Sequence, residues 1–194
     1  MIHAKEYKKN NFVLPVFIKP NDGSGSADTF LIESDEDITE DHFQNDRYMF
    51  LEYIDLQIFT EYTCDLYYGK DSKLKCVIPR KRIKVRDGEV NKSKTEKNEL
   101  VLHIKEHLSH IEGARGCLTA QFFFNDVTKK IIGIEINPRF GGGYPLTYLA
   151  GGNFLKWIIE EYILHKEINY FEDWEENLLM LRYDDEVIVR NYNE

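Results

Sequence analysis

The sequence predicts an α+β chain made mainly of antiparallel sheets with flanking helices. Three observations lead there. Period-two alternation is plain over residues 58–68, where Thr60, Tyr62, Cys64, Leu66 and Tyr68 share one parity and Glu61, Thr63, Asp65 and Tyr67 the other; this is the pattern of a strand. The strand segments are joined by polar turns, as at 125–130, so hairpins outnumber strand–helix–strand units. Helical spacing is confined to a few windows.

In chain order, residues 1–11 form a polar extension. Residues 12–19 read as a buried strand interrupted by Pro15, halted by the Gly/Ser loop that follows Lys19. Residues 30–32 make a short strand, and Ser34 with Asp37 three positions on marks a helix start. Strands follow at 48–54, 58–68, 74–82 and 83–85, the last ending at the Asp87-Gly88 turn. Apolar residues at 100, 101, 104, 108 and 111 predict an amphipathic helix over 97–111. Residues 117–124 and 131–136 form a hairpin. Pro145 suits the first turn of a helix, and Asn153 caps another over 154–164. A last strand falls within 178–189. The chain divides into the extension 1–11, an N-terminal part 12–54 with a flexible loop, and a C-terminal unit 55–194.

The balance of 25 Lys+Arg against 34 Asp+Glu gives a net charge of −9, which argues against nucleic acid as a bulk partner. No apolar run is long enough to span a membrane, and the N-terminus lacks the apolar core of a secretory signal. Cys64, Cys76 and Cys117 are too widely spaced for a zinc knuckle. They read as reduced thiols of a cytoplasmic protein. His103, His107 and His110 share a helix face with Glu106, where a solvated polar face competes with a metal site.

Three segments carry chemistry. The first is Lys19-Pro20-Asn21-Asp22-Gly23-Ser24-Gly25-Ser26. A lysine closing a strand before a Gly/Ser loop can hold phosphate, since glycines let backbone N–H groups approach the oxygens; a solvated hairpin loop fits equally well. It is not a Walker loop, because the lysine precedes the glycines. The second is Ile134-Glu135-Ile136-Asn137-Pro138-Arg139-Phe140-Gly141-Gly142-Gly143. On a strand, Glu135 and Asn137 point to one face while Ile134 and Ile136 fill the core side. Two oxygen ligands with Arg139 beyond them suit Mg²⁺ bridging nucleotide phosphates. Gln121 on the preceding strand adds a third oxygen. The third segment, Glu52-Tyr53-Ile54 followed by Glu61, offers a strand end to an adenine edge and a carboxylate to ribose hydroxyls.

Together, in this order, the segments resemble the ATP-grasp superfamily, in its branch like the carbamoyl-phosphate synthase large subunit, over residues 12–164. The resemblance implies a nucleotide held between two subdomains. Lys19 would contact the ATP phosphates, and Gly23, Ser24, Gly25 and Ser26 would form the flap above them. Glu52, Tyr53 and Ile54 would be the adenine hinge, and Glu61 would take the ribose. Gln121, Glu135 and Asn137 would hold one or two Mg²⁺, or Mn²⁺ in its place. Arg139 and Lys19 would serve catalysis by meeting the transferring phosphoryl charge. Arg80, Arg82, Gly141 and Gly142 would face the acceptor, although Arg80 to Arg86 also reads as the outer face of a strand.

The implied activity is ATP-dependent carboxylate–amine ligation through an acylphosphate, with a small carboxylate as substrate. Family members carry a further domain upstream of the Lys-Pro strand, whereas 18 residues precede Lys19 here. The expectation is therefore a separately encoded partner domain or a homo-oligomer. The alternative reading is a nucleotide-binding subunit or fragment without independent catalysis.

Overall fold

Two antiparallel sheets carry the chain. In the computed structural model, which describes residues 2–3, 13–23, 27–86, 89–183, 185 and 188–190, the smaller sheet has four strands. Their order is β1 (Ile2–His3), β4 (Tyr48–Glu52), β2 (Val16–Pro20) and β3 (Phe30–Ile32). The register pairs Val16 with Ile32 and Ile18 with Phe50. These four side chains are buried on one face and form a small core with Phe43 and Ile38. Lys19 has the opposite parity, so it projects away from that core.

The larger sheet has the order β10 (Leu179–Leu181), β7 (Glu89–Thr95), β6 (Leu74–Arg86), β5 (Thr60–Tyr68), β8 (Gly116–Phe124) and β9 (Ile131–Asn137). One face is apolar. Tyr62, Cys64 and Leu66 pack with Ala120, Phe122 and Phe124 beneath Leu100 and Ile104 of helix α2 (Glu99–His107). The short helix α1 (Glu40–Gln44) belongs to the smaller sheet's side, through Phe43. At one end of the opposite face, Tyr67, Cys76, Ile78 and Cys117 meet Tyr144 of α3 (Tyr144–Leu149) and Phe154 of α4 (Phe154–Tyr162). Each large apolar side chain so buried contributes about 1.5–3 kcal/mol, so both faces are firmly held. The rest of that second face is polar and builds the site.

Several expectations are refined. Residues 74–86 form one strand, with an irregularity between Arg82 and Lys84 rather than a break. Strand β7 was not foreseen: its sequence, EVNKSKT, has almost no apolar alternation, and pairing with β6 and β10 on either side holds it. The Ser34 signal yields only a turn of 3-10 helix, Asp35–Asp37, in which Ser34 N and Oγ both donate to Asp37 Oδ2 at 3.0 Å. No residue of that turn is buried, so nothing extends it. Ile136 is 45% exposed, because β9 is an edge strand and the core does not reach its far end. All three cysteines are buried and unpaired, as expected. Among the described residues, no helix is long and apolar enough to cross a membrane. The Asp87-Gly88 turn lies outside the described residues.

Candidate functional site

Strand register assembles the polar face in two rows. One runs Thr95, Arg80, Thr63, Gln121, Glu135 across β7, β6, β5, β8 and β9. The next runs Ile78, Asp65, Thr119, Asn137. Residues directly opposite on paired strands share a face, so residues far apart in sequence come together with no loop to position them.

The floor is an ion pair. Asp65 and Arg80 side chains are 0% and 1% exposed. Asp65 accepts from Arg80 Nε at 2.8 Å and Nη2 at 3.1 Å. It also accepts from Thr147 Oγ1 at 2.5 Å, and Thr119 Oγ1 lies 3.3 Å from it. A buried charge is tolerable only when paired and hydrogen-bonded in this way. Arg80 Nη1 remains buried, with no hydrogen-bond partner among the described residues. The glycine loop rests on this guanidinium: a Cβ added at Gly143 would lie 2.0 Å from Nη1. Only glycine permits so close an approach. Thr119 Oγ1 donates its one proton to the Arg139 carbonyl at 2.8 Å, tying the loop's start to the floor.

Above the floor stands Glu135. Its Oε1 accepts from Gln121 Nε2 at 3.1 Å and Asn137 Nδ2 at 2.8 Å. Its Oε2 lies 4.0 Å from Lys19 Nζ, which arrives from the smaller sheet. Beside it, Glu61 Oε1 sits 3.2 Å from Arg82 Nε. Burial pushes the Glu61 carboxyl above its ordinary value, Arg82 opposes this, and Glu135 adds to the rise. A cavity of about 110 Å³ lies among Thr63, Arg80, Arg82, Gln121, Arg139 and the 141–143 glycines.

The structure thus brings together Lys19, Glu61, Arg80, Arg82, Gln121, Glu135, Asn137, Arg139, Gly141 and Gly142. Arg80 and Arg82 point inward to the site, not out from the strand as the simpler reading of that segment had it. Glu52 ends β4 exposed, with Tyr53 and Ile54 half-buried after it. Among the described residues, no hydrogen bond or ion pair links those three to the rows. Gly23 is exposed at the start of its loop, while Ser24, Gly25 and Ser26 lie outside the described residues. Sequence reasoning assigned no role to Asp65, Thr119 or Thr147. An acid within the apolar run 64–68 was the available signal for Asp65; nothing marked the threonines.

One carboxylate flanked by two side-chain amides is a hard-oxygen donor set, which fits Mg²⁺ better than a softer metal. Among the described residues, no group of three His, Cys, Asp or Glu side chains could hold a metal. Any such site here therefore rests on Glu135 with the Gln121 and Asn137 amides.

Comparison with known proteins agrees with the fold. No curated protein sequence matches the chain. Among solved structures, the biotin carboxylase domain dimer of Hydrogenobacter thermophilus 2-oxoglutarate carboxylase, in complex with MgADP, ADP and bicarbonate, has a TM-score of 0.64 at 16% identity, over 91% of this chain and 42% of that one. Rhizobium etli pyruvate carboxylase has a TM-score of 0.63 at 18% identity, over 86% and 17%. Staphylococcus aureus N5-carboxyaminoimidazole synthetase, complexed with ADP, has a TM-score of 0.55 at 17% identity, over 70% and 37%. The chain spans less than half the length of each, and at these identities the likeness is one of fold. The profile of the family described as ATP-grasp in the biosynthetic pathway with Ter operon matches residues 45–185. That range takes in strands β4 to β10 and every residue of both polar rows, and the chain belongs to this ATP-grasp family.

Proposed function

We propose that the chain binds MgATP between its 12–54 and 55–194 parts and phosphorylates a small carboxylate, whose acylphosphate an amine then attacks. One observation carries the reading. Three oxygen-bearing side chains, Gln121, Glu135 and Asn137, meet on one edge of the sheet with Lys19 reaching them from the other sheet. This is a place where a cation and a phosphate chain can both be held.

Each side chain has a role in that reading. Lys19 and Arg139 meet the charge on the transferring phosphoryl group, and residues Gly23 to Ser26 cover it. Glu52, Tyr53 and Ile54 read adenine, and Glu61 accepts the ribose hydroxyls. Gln121 and Asn137 now turn their amide nitrogens toward Glu135. Rotating each amide by half a turn presents its oxygen instead, giving three oxygens for one or two Mg²⁺, with Mn²⁺ as a substitute. Bound there, the metal supplies positive charge to the phosphate oxygens. Arg82 and Arg139 face the acceptor, with Gly141 and Gly142 leaving it room, while Arg80, expected to face it too, lies sealed beneath the glycine loop and holds the floor.

The reaction balances simply. A carboxylate oxygen of the acceptor bonds to the γ-phosphorus as the bond to the bridging oxygen breaks, and ADP leaves. The amine then bonds to the acyl carbon, inorganic phosphate leaves, and the amine's proton passes to solvent. No protein nucleophile takes part; the residues orient the reactants and hold charge.

Calorimetry with ATP and Mg²⁺ tests the binding. Heat is expected for the wild type and none for Glu135→Ala; no wild-type heat, or equal heat from both, overturns the reading. A second reading is a nucleotide-binding chain that works with a separately encoded domain. Phosphate release against a panel of carboxylates, with and without a candidate partner, separates the two.

A further inference from the structure

Helix α4 is apolar on both sides. Its inner side carries Phe154, Trp157 and Ile158 into the core beside Tyr67 and Tyr144. Its outer side carries Leu155, Ile159 and Ile163, which are 52%, 54% and 69% exposed. These positions are spaced by four, so they stack into a single ridge. Ile163 keeps right-handed helical backbone, with φ −100° and ψ −46°, so the ridge continues past the helix end. Leu164 extends it there, and Tyr148 and Leu149 lie exposed just before the turn into α4. An exposed apolar ridge is a face made to be covered, and among the described residues nothing covers it.

We infer that this ridge is the contact between two copies of the chain, packed as antiparallel α4 helices about a two-fold axis. Area supports it. The six side chains present on the order of 600–700 Å², more than the largest patch on most monomers and close to the roughly 800 Å² per partner of a standard interface. Symmetry supports it as well. Ile159 is the middle of the ridge, so an axis beside it sets Leu155 of one copy against Ile163 of the other, and the reverse. The flanking charges agree: Lys156 and Glu160 pair along the helix at 3.8 Å. An antiparallel partner sets each Lys156 and each Glu160 beside the other copy's Glu160, so two lysines offset the two carboxylates that meet near the axis.

The test is the mass of the full chain in solution by light scattering, across a wide range of micromolar concentrations. The wild type is expected at about twice its 23.0 kDa. Ile159→Glu is expected at the monomer mass, with unchanged circular dichroism and unchanged MgATP binding. A monomeric wild type overturns the proposal and leaves the ridge to a different protein or domain; a dimeric Ile159→Glu overturns it too. A conservative variant gives an independent reading. The native thiols are buried, so Ile159→Cys carries the one accessible thiol among the described residues. Mild oxidation should link two copies of that variant through it. Failure to link refutes the two-fold placement of Ile159.

Discussion

Replacing Asp65 with alanine should cost the fold about 3–5 kcal/mol, the range for breaking a buried ion pair from one side. The magnitude follows from what the carboxylate holds. It accepts two hydrogen bonds from Arg80 and one from Thr147. With the carboxylate gone, a guanidinium 1% exposed keeps its charge without a counter-charge. The Thr147 hydroxyl also loses its acceptor, at about 1–3 kcal/mol for a donor left unsatisfied, whereas Thr119 keeps the Arg139 carbonyl. Total stabilities are only about 5–15 kcal/mol, so the variant should sit near the edge of folding. Urea denaturation followed by tryptophan fluorescence reads this, since Trp157 and Trp174 belong to the adjoining core. At a typical slope of about 2 kcal/mol per molar, the midpoint should fall by roughly 2 M. The double variant Asp65→Ala with Arg80→Met should recover much of the loss, because it removes both charges. A loss below about 1 kcal/mol for Asp65→Ala, or a double variant worse than the single, would refute the reasoning.

Three further outcomes follow from the same geometry. Gly143→Ala should destabilise by about 1–3 kcal/mol through overpacking. Its backbone angles of −92° and 3° suit alanine, but Arg80 Nη1 would lie 2.0 Å away and is held in place by Asp65; an unchanged melting temperature sinks this. Glu61 has a folded-state pKa raised above its ordinary 4.5. Its stabilising share is therefore present below that value and lost as pH rises through the folded pKa. Glu61→Gln should then be at least as stable as wild type at neutral pH, with any advantage gone in acid, and a variant markedly weaker at pH 7 refutes it. Burial raises the pKa of Cys64, Cys76 and Cys117. A thiol reagent should label none of them in the native protein and all three after urea, and native labelling at wild-type stability contradicts the burial.

What could be seen in the sequence divides along physical lines. The Glu135–Asn137 pair was legible because a strand's period of two fixes which residues share a face. Gln121 followed from the hairpin, and the register confirms it directly opposite Glu135. The glycines at 141–143 announced a close approach but not what approached. That it is the guanidinium of Arg80, some sixty positions earlier, depends on long-range strand pairing, which no local pattern encodes. Strand β7 stayed hidden for a related reason: its stability comes from two neighbours and not from its own apolar residues. Thr147 shows the limit. A threonine inside a short helix looks like any other, and its bond to Asp65 exists only because α3 packs against the sheet at that point.

The charges of the site form a pattern that bears on how it would work. Each carboxylate already has a cation: Asp65 has Arg80 at 2.8 Å, Glu61 has Arg82 at 3.2 Å, and Glu135 has Lys19 at 4.0 Å. Among the described residues, Arg139 is the site cation for which no carboxylate partner is found. The face is thus close to neutral within a chain of net charge −9, and it does not attract an anion by excess charge alone. In the proposed reaction, nucleotide binding would be an exchange of partners. Lys19 would give up Glu135 for phosphate, and Glu135 would pass to the metal ion. The pair that must separate is the longest of the three and joins the two sheets, whereas the shortest is sealed beneath the glycine loop. The loose contact lies where groups must change partners, and the tight one where the scaffold must not move.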